Sequence, residues 1–301
     1  CPSNLCGLDS AVWSGANGNS WNDTLNWEGH IVPLSCTKVI IPGSVDNMPN
    51  LDDDVVIGGL YMEGANLYLM GHDLTVKNFA FLNGANLSNG NQITLLRVID
   101  PKIYNSNFEG EFKCLDYSGT AEFLSNYFTG SVTLSDSTGR NGSSTAFFNT
   151  FNSDLTLINN SEYGQNYLSN ASPSADIVYG NLKVINHSSA GISVGLGGGN
   201  PIYLQGDALF QNDGGGDIGI RSLTFSGAID QHLTINSPTE IFIEDLDIVK
   251  TSNTELILDQ ETKILTNLVL HNSGGYIRAA AGKSLILNDG ASATDITGVV
   301  G

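Results

Sequence analysis

The six-residue phrase DLTVKN at 73–78 returns along the chain as DLTLIN (154–159), NLKVIN (181–186), NLVLHN (267–272) and SLILND (284–289), with SLTFSG (222–227) and HLTINS (232–237) as weaker relatives. In each copy a Leu and an aliphatic residue two positions later fall on one side of a strand, because side chains alternate with period two. Each copy therefore buries one stripe. A second phrase, GANL, begins at Gly64 and again at Gly84.

Intervals between phrases are uneven, 27 residues from 154 to 181 and 17 from 267 to 284, but they centre on about twenty, a usual period for solenoid repeats. A strand of about five residues with its turns needs about seven or eight, so about twenty residues hold three strands. That is one rung of a parallel β-helix. Inward aliphatics such as Leu74, Val76, Leu155, Leu157, Leu182 and Val184 would form its continuous core. An antiparallel sandwich also has short strands about every 8–12 residues, but repeated phrases at this period favour the solenoid. With 35 Gly and only 12 Lys+Arg, strong helix formers are scarce and turn formers plentiful. The expected fold is all-β, a right-handed parallel β-helix of about eleven rungs and roughly 50 Å.

Composition changes near residue 50. Residues 1–50 hold all three tryptophans and four of the eight prolines, which reads as a cap over 1–50 followed by a helix over 51–301. An open first rung would expose apolar core and unpaired strand edges. Trp13, Trp21 and Trp27 with Pro33 are expected to form the lid. Of Cys1, Cys6, Cys36 and Cys114, three fall in the first 36 residues without a CxxC pair, so a disulfide is a better reading than zinc. Cys6 with Cys36 is the preferred bridge. Asn78, Asn159, Asn186 and Asn272 close the repeated phrase at the same place, and are expected to stack as a ladder along a corner.

The cap phrase itself, Trp13-x-Gly15, Trp21, Asn26-Trp27, Gly29, Val32-Pro33 and VIIP ending at Pro42, resembles the segment that introduces β-helical passenger regions of bacterial surface proteins. These include autotransporter-like adhesins and the secreted proteins of Bacteroidetes that leave by the type IX route. The GANL and DLTVKN phrases are similar to rungs of those proteins. The resemblance implies an exported, surface-attached or released β-solenoid whose partners are the secretion machinery and, as an adhesin, surface glycans or other cell-surface proteins. It implies no reaction.

The formal net charge of −19 sets a surface that repels nucleic acid and anionic membranes, and no apolar run is long enough to span a bilayer. Such acidity favours cations such as calcium, although it also serves simply to keep a surface soluble. Asp52, Asp53 and Asp54, and Asp213 with Asp217 around a Gly-Gly-Gly loop, are weak calcium candidates, since neither set has the spacing of a known calcium loop. No other cofactor is expected.

A polysaccharide lyase or hydrolase on the same scaffold needs carboxylates, or calcium with a base, on one face. The strand residues Lys183, Arg221 and Lys263 are expected to lack a consistent acidic neighbourhood one rung away, and the five histidines are dispersed without metal spacing. The expectation is a stalk or adhesin module without catalysis. An enzyme is the competing reading, and passive secretion cargo the third. The long polar stretch 160–178 is the expected contact loop.

Overall fold

The computed structural model describes residues 10–136, 142–162, 165–167, 175–194, 201–237, 241–250, 253–270, 275–287, 289, 292–294 and 299–300. Strand pairs in neighbouring turns are all parallel, and the chain winds as a β-solenoid of about ten turns. One turn shows the plan. Val55–Glu63 bends at Gly58 so that 55–57 lie on a first face and 59–63 on a second, and Asn66–Tyr68 forms the third. The next turn repeats this in Leu74–Asn83 and Asn86–Ser88.

Parallel register keeps like residues above one another. On the first face a single inward column runs Val55, Leu74, Ile93, Phe112, Val132 and Leu155, and continues through Leu182 and Ala208 to Leu233. The step grows from 19 residues (Val55 to Leu74) to 27 (Leu155 to Leu182). Later turns are longer because their loops are longer; the strands stay in register. On the third face Phe108, Phe128 and Phe151 stack with centroids 4.9 and 5.3 Å apart and planes within 10°. Flat rings fit this column because rungs repeat at about the thickness of a stacked pair. Cys114 sits in the first-face core as a free, buried thiol, and burial pushes its pKa up, which makes it unreactive.

The repeated phrase marks a kind of strand rather than a phase of the helix. Its copies at 73–78, 154–159 and 181–186 lie on the first face, but Thr262–Leu270 carries its NLVL portion on the third face and Leu285–Leu287 lies on the second. The 17-residue interval from 267 to 284 is therefore no turn of the helix. GANL is one: Asn66 pairs with Asn86 and Leu67 with Leu87. Gly64 and Gly84 take the corner between second and third faces at φ +62° and +61°, where Asn105, Ser125 and Phe148 follow at +49°, +57° and +58°. A left-handed corner costs glycine least.

The change of composition at residue 50 is not a break in the sheet. Ser10–Val12 pairs with Lys38–Pro42, which pairs with 59–63, so the second face begins inside the cap segment. The tryptophans belong to the same apolar core as the rungs. Trp27 meets Trp13 and Trp21 edge-on at 4.9 and 4.7 Å, all three are buried, and Pro33 is buried beside them in the sequence. Two of their indole N–H groups have partners: Trp13 Nε1 donates to the Asn47 carbonyl at 2.7 Å and Trp27 Nε1 to that of Trp21 at 2.8 Å. Cys36 is disulfide-bonded; Cys6 lies outside the described residues, so the Cys6–Cys36 pairing stands as a proposal. Among the described residues no helix is long and apolar enough to cross a membrane.

Candidate functional site

The expected asparagine ladder exists with a different membership. Asn159 Nδ2 donates to Asn186 Oδ1 at 2.8 Å, and Asn186 Nδ2 to Asn212 Oδ1 at 3.1 Å, all three buried. Asn78 is not part of it. It is exposed at φ +71°, in register with Arg97 and Asp116, which share that left-handed turn at φ +58° and +54°. The inward ladder position lies one residue further along, and in the early turns Val98 and Tyr117 are buried at this corner. Asn272 lies outside the described residues. Asn186 also donates to the Ser188 carbonyl at 3.0 Å and the Gly216 carbonyl at 3.2 Å. Asn186→Ala would leave buried donors and acceptors unpaired, at a cost of about 1–3 kcal/mol. Urea unfolding measures this; a loss below about 0.5 kcal/mol would mean the ladder contributes nothing net.

A second buried column fills the opposite corner. The Ala85 N–H donates to Ser106 Oγ, the Ser106 N–H to Asn126 Oδ1, the Asn126 N–H to Asn149 Oδ1 and the Asn149 N–H to Asp176 Oδ1, at 3.0–3.1 Å. Each amide nitrogen turns back to a strand: Asn126 Nδ2 to the Ile103 carbonyl at 2.9 Å, Asn149 Nδ2 to that of Phe123 at 2.8 Å. Asp176 ends this run as a buried carboxyl raised to about 6 by burial, an effect the two bonds from Asn149 only partly offset. No repeated phrase announces this column, because its members differ. The signal in the sequence was a small polar residue two before an inward aromatic or aliphatic: Ser106 and Phe108, Asn126 and Phe128, Asn149 and Phe151, Asp176 and Val178.

The first residue of the repeated phrase has its own task. Asp154 Oδ1 accepts the Asn181 N–H at 2.7 Å, Asn181 Oδ1 that of Asp207 at 2.8 Å, and Asp207 Oδ1 that of His232 at 2.7 Å. Asp54 does the same for Asp73 at 3.0 Å. Asp52 accepts from the Ser20 hydroxyl at 2.7 Å and the Asn22 N–H at 3.0 Å, and Asp53 from Asn22 Nδ2 at 3.3 Å. The acidic run thus fastens the cap to the first turn. Asp213 accepts from Gln211 Nε2 at 2.9 Å and lies 3.4 Å from His187 Nδ1, while Asp217 is exposed. The glycines between them close on the asparagine ladder, since both Asn186 and Asn212 donate to the Gly216 carbonyl. Among the described residues no group of three or more His, Cys, Asp or Glu converges as a metal site.

Arg221 corrects one expectation: it pairs with Glu244, one turn away. His72, His187 and His232 likewise each face an aspartate, Asp54, Asp213 and Asp259, at 3.5, 3.4 and 3.0 Å. Arg221–Glu244 is a cross-strand pair, whereas the His–Asp pairs join neighbouring turns at strand ends and corners. Of the expected contact loop 160–178, residues 163–164 and 168–174 lie outside the described residues, while Gln165–Tyr167 and Asp176–Val178 are strands of the second and third faces rather than loop.

Groups of outward aromatics lie on the second and third faces, and they differ. On the second face Tyr61 and Phe81 stack at 4.9 Å, Lys38 reaches over Phe79 at 4.6 Å, and Tyr61 and Tyr104 donate to Glu63 and Glu122. That surface is occupied by its own contacts. On the third face Tyr127, Thr150, Ile177 and Tyr203 form one outward column. Backbone bonds from Thr129 to Phe108, Asn152 to Phe128, Tyr179 to Phe151 and Gln205 to Val178 set a second column beside it. Tyr127, Tyr179 and Tyr203 are 41%, 44% and 37% exposed, and among the described residues their rings and hydroxyls have no side-chain partner.

Comparison with known proteins finds no family model that matches this chain, and no matching curated protein or solved structure.

Proposed function

We propose that the chain is a module of an exported bacterial surface protein, a stalk or adhesin segment that works by projection and contact rather than by catalysis, and that a type IX-like secretion machinery carries it out. The observation that supports this best is the unbroken parallel register from Val55 to Ala279 around an apolar core, with polar ladders inside two of its corners. Such a stack gives every inner strand a partner on both sides, resists local opening, and leaves long outer faces for contact. The acidic surface keeps the rod from nucleic acid and anionic lipid.

Antibody against the chain, used on intact cells of its native host with and without external protease, tests the location. Surface labelling that protease abolishes is expected. Label confined to the cytosol after lysis would sink the proposal.

A further inference from the structure

We propose that the third outer face, between Tyr127 and Tyr203, binds an uncharged polysaccharide. Eight outward positions over four consecutive turns, Tyr127, Thr150, Ile177 and Tyr203 with Thr129, Asn152, Tyr179 and Gln205, carry no charge. This stands out on a chain of net charge −19. Tyr127 and Tyr203 stand at the two ends of one column, about 14 Å apart at three strand spacings, with the smaller Thr150 and Ile177 between them.

Each part has a use toward a polyol. The three tyrosine rings are exposed and, among the described residues, no side chain occupies them, unlike the stacked Tyr61 and Phe81 of the second face. An aromatic face accepts the apolar C–H side of a sugar ring, and the phenol, amide and hydroxyl groups around it supply donors and acceptors without a charge to desolvate. Charge selects the class of ligand. Asp154 and Asp207 border the face at the corner toward the next strand, so an acidic polymer is repelled, and no lysine or arginine among the eight positions offers to neutralise one. A second copy of this chain would bring the same negative charge against it.

This inference rests on the surface-module reading for its setting but is tested on the purified intact chain. Affinity gel electrophoresis is run with the neutral polymers hydroxyethyl cellulose, xyloglucan, galactomannan and laminarin, and with alginate and polygalacturonate as acidic probes. Retardation by at least one neutral polymer is expected. Tyr127→Ala with Tyr203→Ala should weaken it on the order of ten-fold, at about one aromatic contact each, while Tyr203→Phe, which keeps the ring, stays near wild type. Circular dichroism and unfolding midpoints report whether the variants remain folded.

No retardation by any neutral polymer, retardation unchanged in the folded double variant, or retardation by the acidic probes alone would overturn the proposal. So would a concentration-dependent dimer abolished by the same substitutions, which would make the face a contact between copies. Surface labelling without retardation removes this inference and leaves the module reading standing; retardation without surface labelling does the reverse.

Discussion

Asp176→Asn is expected to stabilise the protein by about 3 kcal/mol at pH 7–8 and by almost nothing near pH 4. The Asp176 carboxyl titrates at about 6 in the folded chain against an ordinary 3.8, and each unit of such a difference corresponds to about 1.4 kcal/mol. Because the folded value is raised, the folded state holds the proton more tightly. Stability is therefore full below about pH 4, falls as pH rises through the interval between the two values, and is lowest above about pH 6. An amide cannot ionise, so it removes that loss.

It also continues the ladder. Asn126 and Asn149 turn their amide nitrogens to the carbonyls of Ile103 and Phe123, and Phe123 pairs with Ala146 in the next turn. By the same step Asn at 176 would donate to the Ala146 carbonyl. Urea unfolding of both chains from pH 4 to pH 8 measures the difference. A gap that does not widen with pH would show that Asp176 is not the group responsible.

Trp27→Ala should cost about 3–5 kcal/mol, the range for removing a buried large aromatic side chain. Trp27 lies edge-on between Trp13 and Trp21, and its indole N–H satisfies the buried Trp21 carbonyl. The substitution leaves a cavity and an unpaired acceptor together. Trp27→Phe keeps much of the ring contact and loses the hydrogen bond, so its cost should be smaller. Since turns of a solenoid contact mainly their neighbours, the effect should concentrate at that end. Hydrogen exchange should rise first in Lys38–Pro42, which pairs directly with 59–63. A loss under about 1 kcal/mol, with exchange there unchanged, would mean the tryptophans cover the end without holding it.

The inward Leu and aliphatic positions of DLTVKN, DLTLIN and NLKVIN were legible because strand period and burial are local properties, and Leu74, Val76, Leu155, Leu157, Leu182 and Val184 are all buried. The lid was legible for a related reason: three tryptophans ahead of the first rung have no other apolar surface to cover. The ladders were only half legible. Asn78 and Asn159 both end the same phrase, yet one turns outward and the other inward, because a corner advances or lags by one residue according to which position takes the left-handed conformation.

Sequence alone thus determined the strand pattern, the approximate length of a turn and the acidity of the surface, each of which depends on neighbours in the chain. Tertiary structure decided which face each copy of the phrase occupies and which polar side chains meet across turns. It also decided that the aspartates at 52–54 fasten the cap and the next turn through backbone and side-chain hydrogen bonds, and that three tyrosines far apart in sequence share one uncharged surface. Those outcomes depend on register between residues some twenty to twenty-seven positions apart, and the uneven loops that set this register leave only an approximate period in the sequence, too loose to fix which residues meet.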